Sequence, residues 1–131
     1  MILLDTHAWF WLAAHPQRLS ARARAAIGAA LRSGGLGIAS VSLVEMAAWM
    51  VRGRLLPTGS PETALADLVR TTSVIIKEIT PTIAMLAVHF PPELVRDPAD
   101  RIIAATARAE GLPLVTRDVR LRRSRLVETV W

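Results

Sequence analysis

The chain has 131 residues, 52% of them hydrophobic and 21% charged, which is enough to bury the core of one ordinary domain without covalent staples. It contains no cysteine, so a disulfide framework and thiolate metal chemistry are excluded. The formal net charge is +5, carried almost wholly by arginine, with Lys77 the only lysine. Such a balance suits a polyanionic partner such as nucleic acid, and a plain compositional bias toward Arg and Ala would produce it as well.

The N-terminal stretch MILLDTHAWFWLAAHPQR has no basic leader, and Asp5 and His7 fall where a signal peptide needs unbroken apolar residues. Arg, Glu or Pro interrupts every apolar run before the roughly 20 residues a membrane span requires. A soluble, cytoplasmic protein with no membrane partner is expected.

In chain order, MILL reads as a buried strand ending at Asp5, and THAWFWLAA as a helix after the turn. Ser20 caps a second helix over ARARAAIGAALRS, stopped by Gly34 and Gly35. LGIASVS reads as a strand, and Ser42 opens a third helix, SLVEMAAWMVRG, ending near Gly53. Ser60 and Pro61 start a helix within LLPTGSPETALADLVRTT. VIIKEI is a strand, TPTIAMLAVHF a short helix, PPELVRDP a proline-rich connection, and PADRIIAATARAEG a helix closing at Gly111. PLVT is a strand followed at once by Asp118, and VETVW pairs at a sheet edge. Apolar strands alternating with helices indicate a parallel sheet covered on both faces. The expected fold is α/β, an α/β/α sandwich with a central, mainly parallel sheet, forming a single domain over residues 1–131.

Four carboxylates fall at strand-to-helix junctions or in the first turn of a helix: Asp5, Glu45, Asp100 and Asp118. In open parallel sheets such junctions line one edge, outside the carboxyl ends of the strands, where ligands bind. Each has a local alternative. Asp5 can be an N-cap, Ser42 and Glu45 have the S-x-x-E spacing of a capping box, Asp97 can cap ahead of Pro98, and Asp118 can hold a turn. Taken together they weigh toward chemistry, because two unit charges 4 Å apart repel by about 4 kcal/mol at an effective dielectric of 20. A hard divalent cation offsets that repulsion, and Mg²⁺ takes one or two carboxylates while keeping several waters. Such an ion activates water and stabilises charge building on a phosphodiester.

MILLDTHAWFWL, SVSLVEMA and DPADRIIAATARAEGLPLVTRD, in this order over nearly the whole chain, resemble the PIN-domain ribonucleases, specifically the VapC-like toxins of bacterial toxin–antitoxin pairs. The resemblance implies a PIN-like fold and a Mg²⁺- or Mn²⁺-dependent endoribonuclease leaving a 5′-phosphate and a 3′-hydroxyl. Asp5 matches the family's first acid, Glu45 the acid of the S-x-x-E block, Asp100 the acid leading the I-A-A helix, and Asp118 the one after the L-V-T strand. All four are then catalytic, with Asp5, Asp100 and Asp118 as metal ligands. Within the opening D-P-A-D of that last block, Asp97 is expected to cap the helix and Asp100 to hold the metal. Relatives of this kind dimerise, and a small antitoxin silences them by covering hydrophobic grooves and extending a basic residue toward the acids.

RDVRLRRSR wraps five arginines around Asp118, and Arg117, Arg120, Arg122 and Arg123 are candidates for the RNA backbone, a solvated charged face being the alternative. Arg52 and Arg54 are weaker candidates, and Arg101 could orient an acid. Trp9, Phe10 and Trp11 make the first helix apolar around much of its circumference, so Trp9, Trp11 and Trp49 are expected at a partner interface. Thr6, Ser40 and Thr116 are read as caps or turn residues. No histidine is assigned to the site. A catalytically silent PIN-like module that binds RNA or protein is the rival class. A phosphoaspartyl enzyme fits poorly, because His7 stands where a second acid is required and the only lysine lies inside VIIKEI.

Overall fold

The structure, a computed structural model, describes residues 1–93 and 95–131, so Leu94 in the proline-rich connection lies outside the described residues. The elements are β1 (Ile2–Leu4), α1 (Thr6–Ala14), a 3-10 turn (Pro16–Arg18), α2 (Ala21–Ser33), β2 (Leu36–Ala39), α3 (Val41–Val51), α4 (Pro61–Thr72), β3 (Val74–Lys77), α5 (Pro81–His89), α6 (Pro98–Glu110), β4 (Leu114–Val115), α7 (Val119–Ser124) and β5 (Thr129–Val130). Short apolar strands with both faces buried leave no polar alternation. Each side of the sheet therefore needs a helical layer.

The strand order is β3-β2-β1-β4-β5, and every neighbouring pair is parallel. Successive residues face opposite sides: Leu3 joins one buried cluster and Leu4 the other, and Leu114 and Val115 divide the same way. One layer holds Trp9 and Trp11 of α1, Ile27 of α2 and Met46 of α3. The other holds Ile83 and Ala87 of α5, Ile103 and Ala104 of α6, and Leu121 of α7. The expected α/β/α sandwich is present, and its sheet is parallel throughout. Among the described residues no helix is long and apolar enough to cross a membrane.

The helix starts follow local chemistry. Ser20 accepts the Ala23 N–H at 3.0 Å, Ser60 the Thr63 N–H at 3.2 Å, and Asp97 the Ala99 N–H at 2.8 Å, with Pro61 and Pro98 in the first turns they suit. Gly111 ends α6 in the left-handed region at φ 64°, which costs glycine nothing.

Three expectations are corrected. The third helix begins at Val41, so Ser42 is no capping-box residue; it lies inside the helix, buried, and Ser40 makes no side-chain cap. RDVRLRRSR, read as a charged run, contains a six-residue helix, α7, anchored by Leu121 in the core. Trp9 and Trp11, expected at a partner surface, are 0% and 4% exposed. The reason is that α1 packs on β1, α3 and α4, which cover it within the chain. The Trp9 indole Nε1 donates to Thr72 Oγ1 of α4 at 2.9 Å, satisfying the one polar atom the burial enclosed.

Candidate active site

Strand order turns back at the β1/β4 pair, with β2 and β3 on one side and β5 on the other. The crevice beyond this switch point is where open α/β sheets bind ligands. Here Asp5 follows β1, and Thr116 and Asp118 follow β4. The N-terminal turn of α6 brings Asp100 to the same place. A cleft of about 440 Å³ is lined by Asp5, Asp100 and Asp118 together with His7, Trp11, Arg117, Val119 and Arg120.

Two of these acids also start helices. Asp5 Oδ1 accepts the Ala8 N–H at 2.6 Å, and Asp118 Oδ1 accepts those of Arg120 and Leu121 at 2.6 and 3.0 Å. The capping contacts fall on Oδ1 of each carboxylate, and both residues also line the cleft. Asp100 is relieved of capping because Asp97 performs it, accepting the Ala99 and Asp100 N–H groups. Cap and site are thus compatible roles at Asp5 and Asp118, and divided roles at Asp97 and Asp100.

Burial pushes the Asp5 carboxyl from 3.8 up to about 6; the Asp118 charge adds to this, while hydrogen bonds from the Thr116 hydroxyl and from the Ala8 and His7 amides oppose it. Asp100 is raised from 3.8 to about 7, first by burial and then by the charges of Asp97, Asp118, Glu45 and Asp5. Burial leads both shifts, and the neighbouring charges that add to each are the repulsion that the spacing of the sequence implied. A cation relieves the same repulsion.

Glu45 is not in the lining of the cleft; it stands at the margin, close enough to act on Asp100 and His7 through its charge. The Thr6 hydroxyl lies 2.5 Å from Glu45 Oε2 and 2.9 Å from Ser42 Oγ, fixing the carboxylate of α3 against the first turn of α1. Thr6 therefore braces an acid instead of capping a helix. Thr116 Oγ1 does hold a turn, accepting the Asp118 N–H at 3.0 Å, and it also faces Asp5.

The donors are hard carboxylate oxygens at an open crevice, a set that fits Mg²⁺ or Mn²⁺ better than a softer ion. Among the described residues no three or more His, Asp or Glu side chains are drawn close enough together to hold a metal ion.

His7, which sequence reasoning left out, belongs to the cleft wall. Its ring lies 4.7 Å from that of Trp49 and 5.6 Å from that of Trp11. Burial and the Arg117 charge hold its pKa below 6.5, against the opposing pull of Glu45. Its place in the first turn of α1, two residues after Asp5, is the only signal that could have found it. Trp49 is half-buried beside the rings of His7 and Phe10, so of the three proposed interface tryptophans it alone keeps appreciable surface.

The arginines separate. Arg117 and Arg120 line the acidic cleft, and Arg122 and Arg123 face a neighbouring hollow. Arg101 turns away from the acids: its Nε donates to Ala87 O at 2.9 Å and its Nη2 to Val88 O at 3.2 Å and to Phe90 O, which satisfies carbonyls at the end of α5. Arg54 lines an apolar groove with Phe10, Met50, Leu55 and Leu68, away from the cleft. Arg52 is exposed at the end of α3.

A parallel sheet between two helical layers, with carboxylates from separate junctions gathered at its switch point, defines an α/β domain built around an acidic cleft. The chain belongs to the PIN-domain family, whose model matches residues 2–125. It is 40% identical over 136 residues to Ribonuclease VapC22 of Mycobacterium tuberculosis, covering 99% of this chain and 98% of that protein. Its fold is shared with VapBC2 of Rickettsia felis, solved with a promoter DNA fragment, at a TM-score of 0.71 and 16% identity over 98% of this chain and 97% of that one. DNA-bound VapBC of Salmonella typhimurium gives a TM-score of 0.69 at 22% identity, with the same coverage of both chains.

Proposed function

We propose that the chain acts as a single PIN domain, a metal-dependent endoribonuclease serving as the toxin of a toxin–antitoxin pair. The observation that carries this reading is the convergence of Asp5, Asp100 and Asp118 on one cleft between Arg117 and Arg120, with two of the acids raised by burial and mutual repulsion. Near end-to-end similarity to a ribonuclease supports the substrate class.

Asp5, Asp100 and Asp118 would hold Mg²⁺ or Mn²⁺, which would supply a more acidic water and stabilise charge on the phosphate, and Glu45, fixed by Thr6, would act from the margin. Arg117 and Arg120 hold the phosphodiester by charge-assisted hydrogen bonds, aligning its phosphorus with the attacking water. The water oxygen bonds to phosphorus as it gives up one proton to a cleft carboxylate or to solvent, the P–O3′ bond breaks, and the leaving 3′ oxygen takes up one proton from solvent, so the protons balance. A 5′-phosphate and a 3′-hydroxyl result.

The partner is a small antitoxin. The groove of about 690 Å³ between α1, α3 and α4, lined by Phe10, Met50, Leu55 and Leu68, offers the apolar surface such a segment needs. In the cell the toxin is a cytoplasmic homodimer. The test is incubation of antitoxin-free protein with total RNA. Cleavage with Mg²⁺ or Mn²⁺ that EDTA stops, leaving 5′-phosphate ends, is expected; no cleavage with either ion favours the silent module.

A further inference from the structure

Beside the acidic cleft lies a second hollow of about 510 Å³, lined by Arg22, Val119, Arg122, Arg123, Thr129 and Trp131. It draws on α2, α7 and β5, so Arg22 meets Arg122 and Arg123 from a distant part of the sequence. Two links join it to the cleft. Val119 lines both, and the Trp131 ring lies 5.7 Å from the Trp11 ring, over which the Arg117 guanidinium sits at 5.2 Å.

The only ion pairs among the described residues are Arg70–Asp67 and Lys77–Glu110. None of Arg22, Arg117, Arg120, Arg122 and Arg123 is ion-paired with a described residue of the chain, and no carboxylate lines the hollow itself. Three guanidinium groups with a partly exposed indole among them have the make-up of a single-strand nucleic-acid track: cations follow the phosphates and a ring receives a base.

We infer that the Arg22–Arg122–Arg123–Trp131 hollow is a subsite for nucleotides flanking the cleavage point, the continuation of the RNA path out of the acidic cleft. This rests on the ribonuclease reading and adds to it a defined direction of exit, past Val119 toward α2. It also assigns a role to Arg22 that no spacing in the sequence suggests.

The test uses fluorescein-labelled, randomised single-stranded RNA of 4 and of 12 nucleotides, bound in EDTA so that nothing is cut. The shorter probe fills the cleft and the longer one reaches the hollow. Arg22→Glu should weaken 12-mer binding by about tenfold and reduce its salt slope by about 0.7, the change expected when one fewer phosphate is neutralised. Binding of the 4-mer should stay within twofold, and Arg22→Lys should restore most of the affinity. Arg22 is exposed in the first turn of α2, where a glutamate suits the helix dipole, and an unchanged thermal melt would verify the fold. Equal 12-mer affinity in wild type and Arg22→Glu would overturn the subsite while leaving the ribonuclease reading intact. So would equal weakening for both lengths, or an unchanged 12-mer together with abolished binding of poly-glutamate, which would mark a protein-docking patch. Failure of the wild type to bind the 12-mer would overturn the subsite, while cleavage of total RNA with Mg²⁺ or Mn²⁺ tests the ribonuclease reading separately.

Discussion

The start of α6 and the start of α7 solve the same problem differently. At α6, two aspartates three positions apart divide the work, with Asp97 capping the helix and Asp100 free to face the cleft. At α7, Asp118 does both, giving Oδ1 to two backbone amides while lining the same cleft. A cap and a metal ligand are therefore not competing identities for a carboxylate, since each needs one oxygen. The two helix starts should also respond differently to substitution.

The largest expected effect is on Asp100. Asp100→Asn should lower RNA cleavage by on the order of a thousandfold, the scale of losing a principal electrostatic group at a reaction centre. Its metal-free stability, read by thermal melting at pH 7, should equal or exceed that of wild type, because a repelled charge is gone. At α7 the substitution chosen should matter. Asp118→Ala should lose cleavage and about 1 kcal/mol of stability, while Asp118→Asn, whose side chain still caps, should lose cleavage and keep most of the stability. If both Asp118 variants kept wild-type stability, the dual role would be wrong.

Asp97→Ala should show the reverse pattern to Asp100→Asn. It should cost about 1 kcal/mol in denaturant unfolding and retain measurable cleavage. The smallest effect is a pH dependence of the metal-free protein. Asp5 and Asp100 have folded pKa values of about 6 and about 7 against 3.8, so the folded state binds more protons than the unfolded state in that interval. Stability should therefore be greatest near pH 4 with respect to these groups and fall as pH rises to about 7. Asp100→Asn should flatten the upper part of that slope, measured by melting in EDTA.

Most of the framework was legible because it is written locally. Alternating apolar runs placed the strands, and Ser20, Ser60 and Asp97 marked helix starts that the structure keeps. The convergence of Asp5, Asp100 and Asp118 was legible as well, because parallel topology sends every strand-to-helix junction to one edge. The misreadings have one source, which is that tertiary neighbours decide what local pattern leaves open. Trp9 and Trp11 belong to a helix apolar around much of its circumference, which suggested a partner, but α1 is covered within the chain by α3 and α4 as well as the sheet. Ser42 has capping-box spacing, yet its helix starts one residue earlier and Thr6 takes up Glu45. Arg101 sits next to a site acid in sequence and reaches the far end of α5 in space. In α7 the arginines hide the helix, because one buried residue, Leu121, carries its packing.

The acidic cleft is tested most directly by calorimetric titration of Mn²⁺ into wild type, Asp97→Ala and Asp100→Asn at pH 7.5, without RNA. Wild type and Asp97→Ala should bind with similar affinity, and Asp100→Asn should bind at least about tenfold more weakly, the low end of what removal of an outer-shell partner costs. Binding by Asp100→Asn equal to wild type, or weakened binding in Asp97→Ala alone, would contradict the assignment of the acidic cleft as a metal centre built on Asp100.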